Sequence, residues 1–115
     1  CDLPRNRACI IGIQQHQQPF ERLILHPQDY GMSGTEVPLP EPEPFAAAMQ
    51  GVLEGDDSAL AIATVWNSGF YLWRSGSCES LKDGIDLAYD LLSTGKVAQA
   101  LTALQAAIAA ASGST

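Results

Sequence analysis

Helix-forming sequence cut at intervals by glycine constrains this chain more than any other feature in it. Residues 55–101 read GDDSALAIATVWNSGFYLWRSGSCESLKDGIDLAYDLLSTGKVAQAL. Apolar residues recur there at helical spacing, and Gly55, Gly76 and Gly95 fall just past the periodic runs. Glycine takes left-handed backbone without a Cβ penalty, so helices end readily at such positions. The stretch therefore reads as two amphipathic helices and the start of a third.

The first of these, over residues 58–74, is apolar almost all round: Leu60, Ile62, Val65, Trp66, Phe70, Leu72 and Trp73. Such a helix is buried on most sides. Its surplus apolar surface predicts contact with further polypeptide or a partner, because so short a chain has little else to cover it. Trp66, Phe70 and Trp73 read as core residues rather than ligand-stacking ones. Asp56 or Asp57 is expected to cap this helix by accepting free N–H groups. Ser80, with Asp83 three residues on, makes an acidic capping box for the next helix. Leu81, Ile85, Ala88 and Leu92 form its apolar face, Leu91 its margin, and Lys82, Asp86 and Asp90 its polar side. Thr94 is expected to cap the last helix, 96 to about 110, which presents Val97, Ala100, Leu101, Leu104 and Ile108; SGST is a frayed tail.

Ahead of this block the period changes. Residues 1–7 are irregular, 8–13 (ACIIGI) read as a strand, and 20–25 (FERLIL) as a second. The glutamine-rich loop between them is short enough for an antiparallel hairpin. His16 and His26 flank the second strand without a third ligand type beside them, and read as exposed rather than metal-binding. Residues 26–31 form a single turn, with Pro27 at its start and Gly31 at its end. Residues 33–44, SGTEVPLPEPEP, hold four of the chain's seven prolines and read as an extended surface connector rather than a recognition ligand. A helix then begins near Pro44, with Phe45, Ala48, Met49, Val52 and Leu53 on its apolar side. The expected fold is α/β: an antiparallel β-hairpin followed by about four packed α-helices. It divides into a hairpin segment (1–32), a connector (33–44) and a helical segment (45–115) of one domain.

At 115 residues, 46% of them hydrophobic, the chain can bury a core. A net charge of −7 with six basic residues argues against nucleic acid as a partner of this segment, since phosphate binding needs a Lys/Arg surface. No apolar run is long enough to span a bilayer, and no signal peptide is visible. Cys1, Cys9 and Cys78 show no CxxC spacing and read as free thiols of a cytoplasmic protein. A start at Cys1, a few residues before a strand, suggests the C-terminal part of something longer.

The order of these signals resembles the C-terminal region of the anthranilate phosphoribosyltransferase family. The resemblance runs over residues 23–104. It is carried by LHPQDYGM at 25–32, by Leu53-Glu54-Gly55, by Asn67-Ser68-Gly69 followed by Leu72, and by Ser80 to Ile85 with Ala88, Ser93, Gly95-Lys96-Val97 and Leu101. It implies part of the larger α/β domain of a phosphoribosyltransferase of the nucleoside-phosphorylase-like type. Such an enzyme joins anthranilate to phosphoribosyl pyrophosphate in tryptophan biosynthesis, with magnesium neutralising the departing pyrophosphate. The family's magnesium-binding Asp-Glu pair matches only Asp2-Leu3, so the aspartate is present and the glutamate is not. The family's phosphate-binding glycine loop has no counterpart here, which implies that this segment alone is inactive and needs the preceding part of its own protein. A homodimer, phosphoribosyl pyrophosphate and an aromatic amine are the partners implied. PLPEPEP, where the family has a glycine-acidic-asparagine stretch, and the missing glutamate together point to the alternative of a diverged paralogue, non-catalytic or with a different ligand, nucleic acid included; an independent helical interaction module is a third reading.

Overall fold

Cys9–Ile13 (β1) and Glu21–Leu25 (β2) pair antiparallel, with Ile11 opposite Leu23 and Cys9 opposite Leu25. The architecture is known from a computed structural model that describes residues 3–35, 37 and 41–113. Alternation sends Cys9, Ile11, Leu23 and Leu25 toward the core and leaves Ile10 and Ile24 in solvent. Phe20, itself 62% exposed, lies over Gly12, where a Cβ would approach its ring to 2.7 Å. The loop is tied by Gln14, whose Nε2 donates to the carbonyls of Gln15 and Gln18. His16 and His26 are both exposed.

After β2 a 3₁₀ turn, Pro27–Tyr30, ends at Gly31 in left-handed conformation (φ 69°). Four α-helices follow: α1 (Pro42–Leu53), α2 (Ala59–Arg74), α3 (Leu81–Ser93) and α4 (Lys96–Gly113). The connector expected over 33–44 is shorter than the prolines suggested. Pro42 and Pro44 sit inside the first turn of α1, where the missing N–H has no intrahelical partner to lose. Residues 36 and 38–40 lie outside the described residues. α1 buries Val52 and half-buries Phe45 and Leu53, but Ala48 and Met49 face solvent.

The centre of the molecule is the crossing of α2 and α3. Gly69 on α2 and Gly84 on α3 are both buried, and the backbones touch there. A Cβ on Gly69 would come within 2.8 Å of the Ile85 backbone, and one on Gly84 would run into the Gly69 carbonyl. Around this contact gather Val65, Phe70, Leu81, Ile85, Ala88 and Leu92, with Leu3, Leu25 and Val52 closing the cluster. Trp66 is fully buried, 5.7 Å from the Tyr30 ring, and its Nε1 has no hydrogen-bond partner among the described residues.

Two capping expectations need correction. Neither Asp56 nor Asp57 caps α2; Ser58 does, its Oγ accepting from the Ala61 amide at 3.1 Å. Thr94 does not turn toward α4, because its hydroxyl donates back to the Asp90 carbonyl at 2.6 Å and closes α3. Ser80 caps α3 as expected, accepting from the Asp83 amide. The expected apolar face of α4 is a third correction: none of its residues is buried, and Ala100, Leu104 and Ile108 are exposed. No helix among the described residues is long and apolar enough to cross a membrane.

Candidate functional site

Asp2 is the residue expected from the resemblance to bind metal, so the segment beside it comes first. Leu3, Pro4 and Arg5 are buried in succession. Two polar side chains hold them. Asn67, in the middle of apolar α2, accepts from the Leu3 amide through Oδ1 at 2.8 Å and donates through Nδ2 to the Leu3 carbonyl at 3.3 Å. The same Nδ2 donates to the Ala63 carbonyl one turn back, at 2.9 Å, which fixes the side chain on its own helix. Arg5 is only 6% exposed. Its Nε donates to the Met32 carbonyl at 2.9 Å, and its Nη1 to the carbonyls of Ala59 (3.3 Å) and Thr35 (3.5 Å). The Arg5 carbonyl accepts from the Gly34 amide, and Gly34 lets the chain pass so close that a Cβ there would meet the guanidinium. A buried charge is tolerable when dipoles meet its donors, and carbonyl oxygens accept from Nε and Nη1 here.

The predicted metal ligand, Asp2, lies outside the described residues. Its neighbour Leu3 is 5% exposed and packs into the hydrophobic cluster. Among the described residues no group of three or more His, Cys, Asp or Glu side chains could hold a metal ion. The described residues therefore do not compose a magnesium site by themselves, and one carboxylate at residue 2 would need others beside it. Among the described residues no third ligand joins His16 and His26. Cys9 and Cys78 are half-buried free thiols; burial pushes the Cys9 thiol up, and the Arg7 guanidinium offsets part of that.

Neither residue was read as an anchor from the sequence. Asn67 carried a signal, as a polar residue inside a run of apolar helix. Arg5 carried none, since its acceptors lie 27 to 54 residues away in sequence.

Compared with curated proteins, the chain is 36% identical over 85 residues to the anthranilate phosphoribosyltransferase of Listeria monocytogenes, a match covering 70% of this chain and 24% of that protein. The matched stretch is similar to the C-terminal part of anthranilate phosphoribosyltransferases. The bifunctional protein TrpGD of Thermotoga maritima is 33% identical over 85 residues, 70% of this chain and 14% of that protein. An anthranilate phosphoribosyltransferase of Lactococcus lactis is 39% identical over 61 residues, 53% of this chain and 18% of that protein. The chain thus spans about a quarter or less of the length of these curated relatives. No family model matches the chain, and no solved structure does.

Proposed function

We propose that this chain is the C-terminal portion of a cytoplasmic phosphoribosyltransferase that couples anthranilate to phosphoribosyl pyrophosphate in tryptophan biosynthesis. The observation that carries this reading is the identity to the family over 70% of the chain. In the reaction the bond from the sugar's anomeric carbon to pyrophosphate breaks, and a carbon–nitrogen bond to the aromatic amine forms. This chain's share is mechanical. The α2–α3 wall supports a larger α/β domain of nucleoside-phosphorylase-like type, and the Asn67 and Arg5 anchors set the path of the chain at the family's acidic position. The preceding polypeptide of the same protein supplies the phosphate cradle and the amine site, and the complete protein is a homodimer. Magnesium, expected from the resemblance, draws on Asp2 and on carboxylates outside this chain. The exposed outer face of the hairpin, with Ile10 68% and Ile24 56% exposed, supports a larger sheet continuing from it, because two strands alone are marginal.

One observation favours a second reading, a paralogue that keeps the fold and takes another ligand: a buried leucine, Leu3, stands where the resemblance expects the second carboxylate of the metal-binding pair. An assay of the complete protein with phosphoribosyl pyrophosphate, anthranilate and magnesium, followed by the loss of anthranilate fluorescence, separates the two. Turnover is expected. Its absence at saturating substrate and magnesium would sink the first reading in favour of the paralogue.

A further inference from the structure

Two aspartates between α1 and α2 are left over once the fold is built. Ser58 rather than either of them caps α2, and among the described residues neither Asp56 nor Asp57 has a hydrogen-bond or ion-pair partner for its carboxylate. Both line a cavity of about 270 Å³ between the end of the 3₁₀ turn, the α1–α2 loop, α2 and α3. Its floor is apolar and buried, made by Val52, Ala61, Val65 and Leu92. At its mouth Asp56, Asp57 and Tyr89 are exposed, and among the described residues no Lys, Arg or His lines it.

We propose that this cavity binds a small organic monocation, a primary ammonium group on an apolar body, with the ammonium at Asp56 and Asp57 and the body on the floor. An apolar pocket fixes a ligand's body while a few polar groups fix its orientation, and here the polar groups facing the mouth are two carboxylates and a phenol. Charge selects the ligand, since two unpaired carboxylates on a chain of net charge −7 attract a cation and repel an anion. Size limits it. A cavity of about 150 Å³ already holds a benzene ring, so this one takes a ring with a short arm. A helix of further polypeptide, about 10 Å across, is too wide for it. The exposed Tyr89 ring stands where it can lie against the ammonium as well. Phosphoribosyl pyrophosphate and anthranilate are anions, so this site is separate from the proposed reaction and does not rest on it. Occupied, it ties the α1–α2 loop to α3.

Calorimetric titration of phenethylammonium into the complete protein, and into the 115-residue chain, tests it. Saturable binding to both is expected, weakening as salt is added. In amide spectra of the chain, shifts should gather in the α1–α2 loop, the first half of α2 and the end of α3. Phenethyl alcohol and hydrocinnamate, its neutral and anionic counterparts, should bind at least about tenfold more weakly. Asp56→Asn with Asp57→Asn should weaken phenethylammonium about fivefold while leaving the far-ultraviolet circular dichroism unchanged, because Ser58 still caps α2. Four results would overturn the proposal: no saturation in either sample, equal affinity for the alcohol, indifference to the double variant, or binding to the chain but not to the complete protein. The last would mean that a side chain of the preceding polypeptide fills the cavity.

Discussion

Asn67 grips both polar groups of the Leu3 peptide across 64 positions of sequence and steadies itself on Ala63 with the same amide. Asn67→Leu would remove both hydrogen bonds that Asn67 makes to the Leu3 backbone at a part-buried site. A loss of about 2–3 kcal/mol is expected, measured by urea unfolding, together with faster exchange of the Leu3 amide. Cys9 makes a pH prediction. Burial, the larger effect, raises the thiol above its ordinary value of 9.0, with Arg7 pulling the other way. A thiol raised on folding contributes stability that is complete below its unfolded value and lost as pH rises through the folded one. Alkylation of native Cys9 by iodoacetamide should therefore need higher pH than alkylation in urea. At this scale the sequence was only partly legible. Asn67 stood out by polarity, whereas the role of Arg5 depends on carbonyls that no local pattern identifies.

Glycine means different things in α1, α2 and α3. Gly84→Ala would drive a Cβ into the Gly69 carbonyl, a main-chain atom that cannot step aside. The helix-propensity gain of about 1 kcal/mol is then outweighed, and a net loss of about 1–3 kcal/mol is expected in thermal unfolding. At Gly51→Ala the obstacle is the carboxylate end of exposed Asp56, which can swing away. That variant should be neutral or stabilising by up to about 1 kcal/mol in the same measurement. Ser58→Ala should cost about 1 kcal/mol by removing the α2 cap. The helices themselves were readable, because their periods and glycine stops are local. The cap was not, because Asp56, Asp57 and Ser58 are all competent and only the final backbone decides which one lies half a turn outside the helix. The packing of α4 was misjudged for a related reason: alanine favours helix strongly but offers little surface to bury, so a confident helix need not be a docked one.

Across the whole molecule the α/β order, hairpin first and helices after, was legible from the change of period from two to 3.6. Its unequal stability was not. The α2–α3 crossing holds most of the buried side chains, while the two-stranded sheet keeps one apolar face in solvent. Amides of β1 and β2 should therefore exchange at least about tenfold faster than those at the centres of α2 and α3. The anchors on residues 3–5 have another consequence. Asn67 holds backbone groups of Leu3 and Ala63, and Arg5 donates to the carbonyls of Met32, Thr35 and Ala59. Attachments of this kind do not read side chains. The residues around them can be rewritten, a carboxylate exchanged for an aliphatic group included, while the chain still docks in the same place. A lineage built on such a fastening can change its chemistry without first rebuilding its frame.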